Sequence, residues 1–235
     1  RSLGLTPHAK LIGQGVIVLI FTMLAVNLLG VSPVVTLPGG FGIDLGVLAP
    51  TFEVGGAQVS VPWLYIIFVF LLMAGLSNAV NLNDGLDGLC GGCSAVTLAV
   101  MGMVAFTSGD LPLSVFAFAC VGACIGFLWF NCYPASIFMG DTGSLALGTA
   151  LAALAVLTKT EVISLVIGGV FIIEVLSVMI QVVSFKLTGR RVFLMAPIHH
   201  HFEKKGWAET KVVTRFWIVA AAFAAVGFAL YFQLG

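Results

Sequence analysis

Seven runs of apolar residues divide this chain, near 11–30, 62–80, 89–107, 112–130, 144–158, 162–185 and 213–234, and almost every charged residue falls in the gaps between them. A helix of roughly 20 residues crosses a hydrocarbon core about 30 Å thick, so each run is long enough to span a membrane, the run at 144–158 being short for the task. The chain is therefore expected to be an all-α polytopic membrane protein, with seven transmembrane helices in a single integral membrane domain over 1–235. A 60% hydrophobic, 9% charged composition with zero net charge excludes an ordinary soluble domain and argues against nucleic acid as a partner.

The cations orient the bundle. Arg1, Lys10, Lys186, Arg190, Arg191, Lys204, Lys205, Lys211 and Arg215 lie on one side of the predicted crossings, and only Lys159 lies on the other. The positive-inside rule makes the first side cytoplasmic. It places Asp84, Asp87, Asp141 and the run His199, His200, His201 there, and leaves Asp44, Glu53, Asp110 and Glu161 outside. The one long external segment, 31–61, carries alternating Thr51–Val54 and Gln58–Val61 around Gly55-Gly56, a pattern that predicts a small β-hairpin. The five cysteines read as packing residues, Cys90-x-x-Cys93 having no second pair to make a metal site. No signal peptide is visible, and the polar opening at Arg1 leads us to expect a chain truncated at its N-terminus.

Three segments of the predicted cytoplasmic face carry chemistry. In the first, Asn78, Asn81, Asp84 and Asp87 recur every three residues across the end of the second run, where Leu82 also lies. A helix turning 100° per residue would point the first and last of these in opposite directions, so convergence on one ligand requires a break, which Gly85 and Gly88 permit. Two amides and two carboxylates beside apolar spans are costly without a ligand.

The second segment runs from Asn131 through Phe138 and Gly140-Asp141-Thr142-Gly143-Ser144. Asp141 is placed either as an N-cap of the fifth helix or as the carboxylate that holds a divalent cation against a phosphate bound at that helix start. The third is Pro197-Ile198-His199-His200-His201-Phe202-Glu203. Successive histidines diverge in regular structure, which excludes a three-histidine metal site and leaves hydrogen bonding to phosphate or sugar, or proton transfer. Within the sixth run, Glu174, Ser177, Gln181 and Ser184 share a face and read as a polar seam against neighbouring helices.

These three motifs, in this order, resemble those of the bacterial phospho-N-acetylmuramoyl-pentapeptide transferases. The first two are shared with the wider superfamily of polyprenyl-phosphate N-acetylhexosamine-1-phosphate transferases, and Pro197-Ile198-His199-His200-His201-Phe202-Glu203 points to the muramoyl-pentapeptide branch. The resemblance implies transfer of phospho-MurNAc-pentapeptide from UDP-MurNAc-pentapeptide to undecaprenyl phosphate, giving lipid I and UMP, with Mg²⁺, at the cytoplasmic leaflet of the bacterial inner membrane. It implies Asp141 as the metal ligand, and Asp84, Asp87 and His199 with Asp141 as the catalytic group. Asp84 and Asp87 would also hold the nucleoside end and Phe138 would stack on uracil. Asn78, Asn81, Leu82, Asn131, Gly140, Ser144, His200, His201 and Lys10 complete the substrate-binding set. The resemblance further implies a homodimer and a ten-helix fold of which these are the last seven, with an Asp-Asp-x-x-Lys loop upstream of Arg1. The alternatives are a UDP-GlcNAc-1-phosphate transferase of the same superfamily, and a transporter or flippase.

Overall fold

The computed structural model describes residues 7–37 and 40–233, so Arg1 lies outside the described residues. Its helices are α1 (Pro7–Asn27), α2 (Trp63–Leu82), α3 (Leu89–Thr107), α4 (Leu111–Asn131), α5 (Gly140–Leu157), α6 (Glu161–Ile167), α7 (Gly169–Thr188), α8 (Ile198–Lys204) and α9 (Glu209–Phe232). Seven of them, all but α6 and α8, are long and apolar enough to cross a membrane, as expected. In lipid each backbone N–H and C=O must find its partner inside the segment, which a helix alone provides for an isolated apolar run.

α3 is the centre of the bundle, its Leu89, Cys93, Thr97, Met101 and Val104 all buried, with α4, α9 and α5 against it. α2 packs along α5, and Gly148 lets the backbones meet: a Cβ there would stand 2.6 Å from the Leu76 carbonyl oxygen. α1 and α4 lie at the periphery with most of their side chains outward.

Two spans differ from expectation. The fifth begins at Gly140, not 144, which supplies the length that the sequence run lacked. The sixth is broken at Gly168 into α6 and α7. A Cβ on Gly169 would strike the Phe223 ring at 2.4 Å, so the break falls where the absence of side chains lets α9 come close.

The predicted hairpin forms as β3 (Thr51–Val54) and β4 (Ala57–Ser60), antiparallel with Val54 opposite Ala57 and both turn glycines at positive φ. A second hairpin, β1 (Val34–Thr36) with β2 (Gly42–Asp44), was not read from the sequence because three-residue strands are too short to display alternation. Above the same end of the bundle, Lys159 sits in the left-handed region with φ +57°. Its Nζ donates to Ser32 O at 2.9 Å, Tyr65 Oη at 3.1 Å and Glu161 Oε1 at 2.6 Å, while Tyr65 donates to the same Glu161 oxygen. All five cysteines are free; Cys90, Cys93 and Cys124 are buried, as packing residues should be.

Candidate functional site

At the opposite end of the bundle from the hairpins, α2 stops at Leu82 and a turn through Asp84 and Gly85 leads into α3. Asn81, in the last turn of α2, donates to Asp141 Oδ1 at 2.9 Å and to Ser144 Oγ at 2.8 Å. Ser144 is buried and donates in turn to Gly140 O, one helical turn back. Lys10, near the start of α1, forms an ion pair with the other oxygen of Asp141. One carboxylate thus joins α1, α2 and α5.

Asp141 does not cap α5. The N-cap position is Met139, without a side-chain hydrogen bond, and Asp141 lies inside the first turn, its side chain 57% exposed. Gly140, at φ +62°, turns the chain so that the carboxylate faces Asn81 and Lys10. Asp84 faces the same region. Burial raises its carboxyl above the usual aspartate range, the negative charge of Asp141 raises it further, and a hydrogen bond from the Gly140 backbone opposes both.

The break expected near Gly85 and Gly88 is present, and it sends Asp87 elsewhere. Asp87 Oδ2 accepts from Ala135 N at 2.9 Å and its own N–H donates to Glu209 Oε1 at 2.9 Å. Asn131 is buried beside it, accepting from Gly88 N and donating to Ile137 O. These two side chains fasten the α2–α3 turn to the α4–α5 loop. Asn78 donates to Ala74 O of its own helix, and Leu82 is half-buried one position past Asn81.

The three histidines do not act alike: the rings of His199 and His200 lie 4.1 Å apart beside Gly85, and His201 turns away from them. His199 is fully buried, with Nδ1 3.0 Å from Glu174 Oε1. His200 pairs with Glu203 on α8 itself, and His201 Nδ1 accepts from Leu194 N at 3.1 Å. The α7 seam therefore does more than lock neighbouring helices. Glu174 holds His199, Gln181 binds the N–H groups of Val192 and Phe193 and the Phe193 carbonyl, and Ser184 binds Arg190 O. The sequence reading missed that the partners of this seam are the loop and helix that follow it, because only the return of the chain after Gly189 brings them together.

Two apolar furrows open beside Asp141. One, about 570 Å³, runs from Lys10 past Gln14 and Ser77; the other, about 470 Å³, starts at Phe138 and Met139 between α4 and α5. Phe116, Ala146 and Ala150 line both, so they join over the membrane face of α5. Phe138 is 77% exposed at the mouth of the second.

Among the described residues no group of three His, Cys, Asp or Glu side chains could hold a metal ion. A cation that keeps several waters and takes one or two carboxylates plus substrate phosphates, as Mg²⁺ does, makes a smaller demand. Asp141 with Asp84 beside it fits that demand, the exposed Asp141 carboxylate being engaged only by side chains that can withdraw.

A bundle of seven membrane-length helices that brings Lys10, Asp84, Asp141 and Asn81 together at one end, around the mouth of a mostly apolar furrow, belongs to the integral membrane proteins with a polar site at one face. Residues 2–159 match the model of glycosyl transferase family 4. A relative from Rubrobacter xylanophilus is 52% identical over 232 residues, covering 99% of this chain and 68% of its own length. One from Oceanobacillus iheyensis is 48% identical over 236 residues, covering 100% and 67%. Another, from Shouchella clausii, is 48% identical over 228 residues, covering 97% of this chain but only 65% of the relative. All three carry the name phospho-N-acetylmuramoyl-pentapeptide-transferase. The chain belongs to glycosyl transferase family 4 and, within it, to the family of these transferases.

Proposed function

We propose that the protein transfers phospho-MurNAc-pentapeptide from UDP-MurNAc-pentapeptide to undecaprenyl phosphate, releasing UMP and forming lipid I, with Mg²⁺ at Asp141. The observation that carries this reading is the meeting of Lys10, Asp141 and Asn81 at the mouth of a furrow whose lining is otherwise mostly apolar. A polyprenyl phosphate has the same division, a charged head on an apolar tail. Lys10 supplies a point charge for its phosphate and the furrow takes the isoprene units.

The donor is a soluble polyanion, so the site face is the cytoplasmic one, in agreement with the nine cations that the positive-inside count places there. Transfer of a phosphoryl group asks chiefly for in-line placement and neutralised charge. Asp141 and Asp84 would hold a divalent cation, which when bound would supply that neutralisation; Asn81 keeps the Asp141 carboxylate oriented, and Phe138 offers an exposed ring for the uracil. The membrane is the bacterial inner membrane, where both substrates meet.

The test is Mg²⁺-dependent UMP release from UDP-MurNAc-pentapeptide and undecaprenyl phosphate by the purified full-length protein. Competition by UDP-MurNAc-pentapeptide and not by UDP-GlcNAc is expected. Release from UDP-GlcNAc instead would assign the other branch of the superfamily, and substrate flux without UMP release would assign a transporter.

A further inference from the structure

We propose that Glu174 is a positioning residue that holds His199 in its Nδ1–H tautomer, so that Nε2 stands as a buried hydrogen-bond acceptor at the Asp84–Gly85 turn. The proposal rests on the transferase reading for what Nε2 accepts from, and on geometry alone for the tautomer.

Glu174 is fully buried in α7, and both of its oxygens are used. Oε2 accepts from Ile198 N at 2.9 Å, one of the backbone donors that the start of α8 leaves without a helical partner. Oε1 lies 3.0 Å from His199 Nδ1. A carboxylate can only accept, so the hydrogen on this contact belongs to Nδ1, and the lone pair of the neutral ring is left on Nε2.

Nε2 is itself buried and has no hydrogen-bond partner among the described residues. It is aimed at Gly85: a Cβ there would lie 2.3 Å from His199 Nε2 and 3.3 Å from His200 Nε2. Any side chain at 85 would push the imidazole away from the turn that carries Asp84. A buried acceptor without a donor is costly, and such costs persist where a ligand supplies the missing partner. The ligand class is a hydroxyl or amide donor presented at the Asp84 turn, which the sugar and peptide of the donor substrate both carry.

Glu174→Gln separates positioning from packing. The amide has one acceptor and one donor, whereas Ile198 N–H and His199 Nδ1–H are two donors. A backbone N–H cannot become an acceptor, but an imidazole can. The amide oxygen therefore stays on Ile198, its NH₂ group faces Nδ1, and His199 must carry its hydrogen on Nε2. The variant retains both contacts and inverts what the ring presents to the site.

The experiment is ¹H–¹⁵N correlation spectroscopy of the ¹⁵N-histidine-labelled full-length protein, with steady-state UMP release measured alongside. The parent should show His199 protonated on Nδ1, and Glu174→Gln should show it on Nε2. That variant should lose turnover on the order of 10²-fold with KM changed less than about threefold, and Glu174→Asp should recover part of the loss. A parent protonated on Nε2, or a Gln variant with unchanged tautomer or unchanged turnover, would overturn the proposal. Should the Gln variant fail to fold, the parent spectrum still decides the tautomer, and His199→Asn decides the rest. It keeps a donor for Glu174 and lacks Nε2, so it should fold and fail to turn over, and normal turnover would overturn the proposal. A parent with the expected spectrum but no UMP release would refute the transferase reading and leave the tautomer assignment standing.

Discussion

At one end of α5 Lys10 meets Asp141, and at the other Lys159 meets Glu161. Both lysines are equally exposed, at 29% of the side chain, but Asp141 is 57% exposed and Glu161 not at all. The buried pair is knit into the fold through one oxygen: Tyr65 and Lys159 both donate to Glu161 Oε1, Lys159 also reaches Ser32 O, and it gives up favourable backbone geometry to do so. The exposed pair is open, since two oxygens that a cation could claim are held only by a lysine tip and an amide, and that lysine is free to turn to a phosphate. The same two charges thus serve as a structural clasp where the carboxylate is buried and as a loaded site where it is exposed.

The comparison can be broken at either end. Asp141→Asn should reduce UMP release by about 10²- to 10³-fold, because a neutral amide of the same shape is a poor ligand for a hard cation. Thermal unfolding should barely move, since an exposed ion pair contributes about 0–1 kcal/mol. Near-normal Mg²⁺-dependent turnover in a folded Asn variant would put Asp141 in the structural class with Glu161. Lys159→Met should do the reverse and destabilise by about 3 kcal/mol, as removing one partner strands a buried carboxylate. Turnover at low temperature should stay near the parent value, and a selective loss of activity in a fully folded variant would erase the distinction.

The histidines sharpen the same contrast within one helix. His199→Ala should lower turnover about 10²-fold, and His201→Ala, which gives up one hydrogen bond from Leu194 N, by only a few fold. Equal losses in well-folded variants would mean that α8 does not present its side chains in different directions.

Asp84 carries the smallest effect. Its carboxyl is raised in the folded state, so folding favours its protonated form. The stability it contributes is fully present below the ordinary aspartate value near pH 4 and is lost as pH rises through the folded value. Asp84→Asn should flatten that part of the stability profile, and an unchanged slope in denaturant titrations between pH 3 and 7 would show Asp84 to be hydrated like a surface group.

Much of this was legible in the chain because membrane solvent imposes a long, uninterrupted signal. The seven spans follow from run length alone, and the β3–β4 hairpin from Gly55-Gly56 between alternating residues. The break at Gly168 was not legible, because the Phe223 ring that packs on the adjoining Gly169 is 54 positions from that glycine in sequence and lies on another helix. The site divides in the same way. Asn81, Asp84 and Asp141 could be gathered onto one face from their motifs, but the hydrogen bonds by which Asn131 and Asp87 tie the α2–α3 turn to the α4–α5 loop were not legible, because their partners lie more than 40 residues away. Glu174 was read by its own helix, and its partner arrives 25 residues later on a segment of a different direction.

The Lys159 clasp also bears on the order in which the protein assembles. It joins residues 127 and 94 positions apart, from the segment after α1 and the start of α2 to the turn after α5. As a chain is made from its N-terminus, α1 and α2 can pair early, but this closure must wait until the fifth span has emerged and carried Lys159 and Glu161 across together. Until then Tyr65 has no carboxylate to bond and the Ser32 carbonyl no ammonium. The hairpin face is thus the late-maturing end of the molecule, and a chain arrested before residue 159 would carry the Lys10 end of its first helices with nothing yet to lock the other.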